Sequence, residues 1–275
     1  MTRIAVFSDP HAGHVVGLTP PGWQTGDTTG LNGDFGKRRK AARVRAACWR
    51  RYVEILREMA PIHRTLFLGD GIDGNNSRDG GTELIEPDRM EQAKMTVAAL
   101  DEIRRHAAKG YKIRGVYGTP YHTGQAEDFE RMIASEAGFD GIGAHDWPEI
   151  EGVVFDIKHH VGSSSIPHGR GTAVLREMLW NELWHRQKHQ PLGKVILRGH
   201  VHYSVGVWQP DFELGERWAF TCPALQAMGS KFGSRMCSGL VHWGMLFFDV
   251  EKGKVVGFHN RITLIREQVA KVVKF

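Results

Sequence analysis

Aspartate and histidine recur in this chain at one kind of place, directly after short apolar runs. Residues 3–8 lead into Asp9-Pro10-His11, 65–68 into Gly69-Asp70, and 113–117 into Gly118-Thr119. Residues 153–158 lead into His159-His160, and 194–198 into Gly199-His200-Val201-His202. Mixed carboxylate and imidazole donors without thiolate suit Mn, Fe, Ni or Zn rather than Mg or Ca. Two such ions about 3.5–4 Å apart stabilise the attacking and leaving oxygens of a displacement at phosphorus and lower the pKa of a bound water. These residue types therefore point to phosphoester hydrolysis. Asp9 and His11 are two positions apart, as are His200 and His202, and strand alternation would put each pair on one side of the chain. Asp70 follows a glycine at a neighbouring run, where one carboxylate can bridge two ions. No Gly-x-Gly-x-x-Gly after a strand, Walker loop or Gly-x-Ser-x-Gly elbow competes.

Such scattered donors meet only if the runs are strands of one open α/β architecture, whose carboxyl ends share a rim. Apolar positions at three- and four-residue spacing predict helices over 36–59, 87–109, 126–137 and 172–190. Pro87 and Thr172 would open two of them, and Gly110, Gly138 and Pro191 would close three. Strands and helices alternating in this way are an α/β signature. Strands are then predicted over 205–209, 217–221, 240–250 and 255–264, with a hairpin turn at Glu251-Lys252-Gly253-Lys254. This β-rich portion, 205–275, is expected to form a second, mostly antiparallel sheet. No linker composition divides the chain, so 1–275 reads as one domain. Residues 15–35, rich in Gly, Pro and Thr, read as a long loop bordering the site.

The 275 residues, 41% hydrophobic and 24% charged, are ordinary for a globular protein with a full core. Cys48, Cys222 and Cys237 are too few and too scattered for a disulfide framework or a thiolate zinc site. The chain enters its first strand with no basic leader, and 240–250 is too short to cross a bilayer, so the expectation is cytoplasmic with no membrane partner. A net charge of +5 favours an anionic substrate and permits nucleic acid.

In order and position, Asp9-x-His11, Gly69-Asp70, Gly118-Thr119-Pro120-Tyr121-His122, His159-His160 and Gly199-His200-x-His202 resemble the calcineurin-like metallophosphoesterase superfamily, over residues 3–225. The resemblance implies a four-layer αββα sandwich of two mixed β-sheets flanked by helices, with the metal site at the strand C-terminal ends. It implies two divalent transition-metal ions, Mn foremost and Fe, Zn or Ni as alternatives. Asp9, His11 and His202 would hold the first, Asp70 would bridge, and His200 with His159 or His160 would hold the second. His159 occupies the slot of the family's single histidine. The family usually carries Gly-Asn-His where this chain has Gly-Thr-Pro-Tyr-His, a form similar to phage-borne and prophage-borne members. Thr119 then stands where Asn is a ligand, and His122 is the acid, a phosphate contact or a replacement ligand. The reaction implied is attack on phosphorus by a hydroxide bridging the ions or terminal on one, with Asp70 and His122 as catalytic groups.

His160 is a candidate for substrate contact or for support of the ligands. Asp73, Asn75 and Asn76 have turn chemistry but stand close enough to Asp70 to touch substrate. Lys37, Arg38, Arg39 and Lys40 oppose the dipole at a helix start, which suggests a role in attracting a polyanion. Trp180, Leu183 and Trp184 are expected to pack rather than stack on bases, and His168 and Arg170 lie on a loop that could reach substrate. The expected activity is hydrolysis of a phosphodiester or nucleotide, DNA included. A small-molecule or protein phosphomonoesterase is the alternative. A basic nucleic-acid-binding module with a structural or degenerate metal site is the alternative of another class.

Overall fold

The computed structural model describes residues 1–24, 35–77, 80–123, 128–210, 213, 215–228, 241–269 and 272. In chain order the elements begin with β1 (Thr2–Phe7), α1 (Phe35–Met59), β2 (Ile62–Phe67), α2 (Arg89–Arg105) and β3 (Ala107–Val116). Next come α3 (Pro120–Thr123), α4 (Phe129–Glu136), β4 (Gly141–Gly143), β5 (Glu149–Ile150) and β6 (Val153–Lys158). The chain continues through α5 (Arg170–Arg186), β7 (Val195–Arg198), β8 (Val205–Gln209), β9 (Arg217–Thr221), β10 (Gly244–Glu251) and β11 (Lys254–Ile262).

Two mixed sheets result. The first has the order β11-β10-β1-β2-β3-β4 and the second β5-β6-β7-β9-β8. β1 to β4 run parallel, with β10 and β11 added antiparallel at one side. β6, β7 and β9 run parallel between the antiparallel edges β5 and β8. Alternate residues of each strand face opposite ways, so Ile4, Val6, Leu66, Leu246 and Phe248 meet Phe155, Ile157, Val195, Leu197 and Phe220 in a core between the sheets. The other face of the first sheet (Ala5, Phe7, Phe67, Phe247) packs on Tyr52, Ile55 and Leu56 of α1, Leu100 and Ile103 of α2, and Ile133 of α4. The outer face of the second sheet carries α5, through Val174 and Met178 against Ile196 and Ala219. The architecture is a four-layer αββα sandwich. Full burial of each such side chain contributes roughly 1.5–3 kcal/mol.

The β-rich portion departs from expectation. Only β8 and β9 enter the second sheet, whereas β10 and β11 return to the first, against β1. Both faces of β10 are therefore covered, which explains why Gly244–Val250 is buried throughout. The turn between β10 and β11 has Lys252 and Gly253 at positive φ, as a two-residue I′ hairpin needs. α2 stops at Arg105, because β3 begins at Ala107, and it starts from an Asp88 cap rather than at Pro87. α5 starts at Arg170 without the Thr172 cap. Of the 15–35 segment, Val16 and Leu18 are buried in the helix-side core, and residues 25–34 lie outside the described ones. No helix among the described residues is long and apolar enough to cross a membrane.

Candidate metal centre

β1, β2, β3, β6 and β7 end along one rim, and their following turns hold one another in place. Asp9 N–H donates to the Gly69 carbonyl, His11 N–H to Asp70 and Gly199 N–H to His159, at 2.9–3.2 Å. The donors do not lie on extended strand. Asp9, His11, Asp70, His200 and His202 all have φ between 43° and 72°. Left-handed backbone at non-glycine residues is destabilising by about 1–3 kcal/mol each and persists where the surroundings over-determine it. Strand alternation therefore brings the pairs to the rim, but tight turns aim them.

Among the described residues, three groups bring ligand atoms within 4.8 Å of one another. They are Asp9 with His11 and His202, Asp70 with His159 and His200, and His11 with Asp70 and His122. Asp70 links the groups, since its Oδ2 lies 3.9 Å from His11 Nε2 and 3.0 Å from His159 Nε2. Asp9 Oδ1 lies 3.3 Å from His202 Nε2 and 4.0 Å from both His11 Nε2 and His159 Nε2.

The donor set fits divalent cations. His11 Nε2 and His202 Nε2 face each other at 3.2 Å, a spacing expected of two ligands on one ion with bonds of about 2.0–2.1 Å. His159 Nε2 is buried without a hydrogen-bond partner, near Asp70 but out of line with it. The other ring nitrogens are engaged behind the site. His11 Nδ1 pairs with Asp73 Oδ1 at 3.1 Å, His159 Nδ1 donates to the Leu68 carbonyl, and His122 Nδ1 donates to the Asp73 carbonyl at 2.9 Å. Such partners fix the tautomer that leaves Nε2 free for an ion.

The electrostatics agree. Burial, with His122 as the next cause, lowers His11 to about 4, and burial with His159 lowers His200 to about 4. Both rings are thus neutral near pH 7, as ligands must be. Burial works against ionisation of Asp9 and Asp70, yet the adjacent His159 charge holds both below the usual carboxylate range. Burial likewise opposes a charged His159, but Asp70 and Asp9 raise it to about 10. Two buried carboxylates here draw positive charge between them.

Of the residues expected at the site, Asp9, His11, Asp70, Thr119, His122, His159, His200 and His202 come together. Thr119 takes a particular role: its N–H and hydroxyl both donate to Asp70 Oδ1, at 2.6 and 3.0 Å. His160 is exposed at the rim with its ring 4.7 Å from that of His200. Asn75 is exposed on the turn after Asp70. Lys37, Arg38 and Arg39 fall on the first turns of α1, and their side chains lie outside the described residues.

The sequence reading named Asp73 only as a turn residue that could touch substrate, and it missed Glu130. Asp73 is buried, pairing with His11 and accepting from Asn76 Nδ2 at 3.0 Å, so its carboxylate braces His11 from behind and is not offered at the surface. Glu130, also buried, accepts from Gly71 N–H at 3.0 Å and Gly118 N–H at 2.6 Å, joining the turns that carry Asp70 and Thr119. A signal for it existed. Phe129, Glu130, Ile133 and Ala134 form the buried stripe of α4, and a carboxylate within such a stripe needs donors.

No protein-family model matches the chain, and no curated protein matches it. Solved structures do. A novel archaeal phosphodiesterase overlays with a TM-score of 0.46 at 12% identity, over 95% of this chain and all of that one. YfcE, a phosphoesterase from E. coli, gives 0.39 at 13%, over 94% and 98%. The sulfate thiohydrolase SoxB of Thermus thermophilus gives 0.40 at 11%, over 96% of this chain and 56% of its own. Overlaps of this size carry no argument of their own about chemistry.

Proposed function

We propose that this protein is a metal-dependent phosphoesterase acting on a phosphodiester, in a nucleotide or in DNA. The observation that carries the reading is the place of Asp70, one carboxylate oxygen within 4 Å of an imidazole from each of two donor groups. Asp9, His11 and His202 would hold one divalent ion, His159 and His200 a second, and Asp70 both; Mn, Fe, Zn and Ni all suit these donors. Such ions, when bound, supply Lewis acidity and a water of lowered pKa.

The chain's own groups do the rest. Thr119 donates two hydrogen bonds to Asp70 and sets the carboxylate plane. His122, with Nδ1 committed to the Asp73 carbonyl, keeps Nε2 available beside His11 and Asp70. In this reading that nitrogen would carry a proton to the departing oxygen. Exposed His160, with Lys37, Arg38 and Arg39, would draw the anionic substrate to the rim.

The test begins with metal per purified chain, then compares hydrolysis of bis-nitrophenyl and mono-nitrophenyl phosphate with added Mn. Two ions per chain and diester hydrolysis abolished by Asp70→Asn are expected. Monoester preference would move the substrate class, and metal binding without either activity would end the hydrolase reading.

A further inference from the structure

The donor groups at the rim differ in charge. One brings two carboxylates and two imidazoles: Asp9, His11 and His202, with Asp70 Oδ2 3.9 Å from His11 Nε2. The other has two imidazoles, His159 and His200, and Asp70 as its acid. Asp9 favours the first side. Its Oδ2 accepts from the Ser8 hydroxyl, and its Oδ1 is nearer His202, at 3.3 Å, than His159, at 4.0 Å. Thr119 does not make up the difference, because its N–H and its hydroxyl are both spent on the Asp70 carboxylate, at 2.6 and 3.0 Å from Oδ1. His122 groups with His11 and Asp70, which adds to the first side, and His160 joins none of the three groups among the described residues.

We propose that the two groups fill in order. Asp9, His11, His202 and Asp70 take the first divalent ion, and His159 and His200 hold a second only weakly until a phosphoryl oxyanion at the rim supplies the missing negative charge. This rests on the metal-dependent reading above and adds to it a joint dependence on free metal and bound anion, with both groups filled in excess metal. The reason is charge balance. Asp9 and Asp70 are both buried, and one divalent ion neutralises the pair. A second ion that shares Asp70 finds no acid of its own, and repulsion from the first is strong where water is excluded. An oxyanion restores neutrality, on the side where exposed His160 lies against His200. Linkage makes the coupling mutual: the second ion must strengthen anion binding by the factor by which the anion strengthens its own.

The test needs no turnover. Mn²⁺ is titrated into the metal-stripped full chain, with and without inorganic phosphate, and unbound Mn²⁺ is read from its electron paramagnetic resonance signal. Two dissociation constants about 10-fold or more apart are expected without phosphate. Phosphate should tighten the weaker one by about 10-fold or more and leave the tighter one within about threefold. His200→Ala should remove the weaker ion alone, because residue 200 holds Asp9 through its backbone N–H, which the substitution keeps. Two ions of equal affinity, a weaker ion indifferent to phosphate, or loss of the tighter ion in His200→Ala overturns the proposal and leaves the metal-dependent reading standing. A chain that binds no Mn²⁺ overturns both.

Discussion

Gly118 gives the most direct test of the site's geometry, because the space beside it is already filled by Asp70. A methyl group there would stand 2.1 Å from Asp70 Oδ1 and 2.2 Å from the Asp70 backbone nitrogen. Ordinary contact begins at 3.4 Å, so Gly118→Ala requires the two turns to part by roughly 1 Å. The neighbour is partly backbone and cannot swing aside. Overpacking of this sort is destabilising by about 1–3 kcal/mol. For a chain this large that lowers the melting temperature by about 2–12 °C. The larger effect falls on chemistry, since a 1 Å displacement of the shared carboxylate should reduce kcat/KM about 100-fold, or roughly 2.7 kcal/mol in the transition state. The assay pairs metal per chain with kcat/KM on a diester, plus a metal-free melt to confirm folding. Gly22→Ala, with nothing within 4 Å of the added carbon, is the control. A Gly118→Ala protein that keeps both ions and stays within threefold of wild-type activity would refute the argument that Asp70 must hold its position.

The residues behind the ligands make separable predictions. Asp73→Asn removes the carboxylate at His11 Nδ1 and should weaken metal affinity about 10–100-fold, measured by chelator competition. His122→Gln should leave the metal count intact and lower kcat about 100- to 10,000-fold; loss of an ion would instead make His122 a ligand. Glu130→Gln turns an amide N–H₂ toward a backbone N–H and should destabilise the metal-free protein by about 1–3 kcal/mol. Burial first and Asp70 second raise Glu130 to about 8 from its ordinary 4.5. Its contribution to stability is then whole below pH 4.5 and declines as pH rises to 8. The metal-free wild type should lose melting temperature relative to Glu130→Gln across that window, and a constant difference would contradict the linkage.

The fold was legible because its signals are local. Runs of β-branched and aromatic residues mark β6, β8 and β9 at their observed bounds, and apolar spacing marks α1 to within a residue. What escaped depends on contacts between distant segments. Nothing in residues 244–262 distinguishes pairing with β1 from pairing with β9, since both partners offer apolar faces, and the sheet assignment was accordingly wrong. The residues that converge at the rim were legible through residue type and order. Glu130 and the bracing role of Asp73 were not, because both lie in what the side chains touch: for Asp73 a ring nitrogen 62 positions back, and for Glu130 two backbone N–H groups in different turns.

The left-handed backbone at Asp9, His11, Asp70, His200 and His202 bears on why these parts coincide. An extended chain leaving a strand would carry each donor away from the rim. A turn with φ near 50° doubles it back over the strand end, at the expense of local strain and of glycine neighbours such as Gly69 and Gly199. A side chain at Gly199 would stand 2.8 Å from Asp9 Oδ2 and 3.1 Å from His159 Nδ1. Close approach, strain and buried like-charged carboxylates all concentrate where the two sheets' strands end. The sandwich core, with both sheets packed face to face through Val6, Leu66, Ile157 and Leu197, is what stabilises that concentration. The strained rim is therefore a property of the paired sheets together. A change deep in their shared core, such as Leu66→Ala, should loosen the donors although it touches none of them.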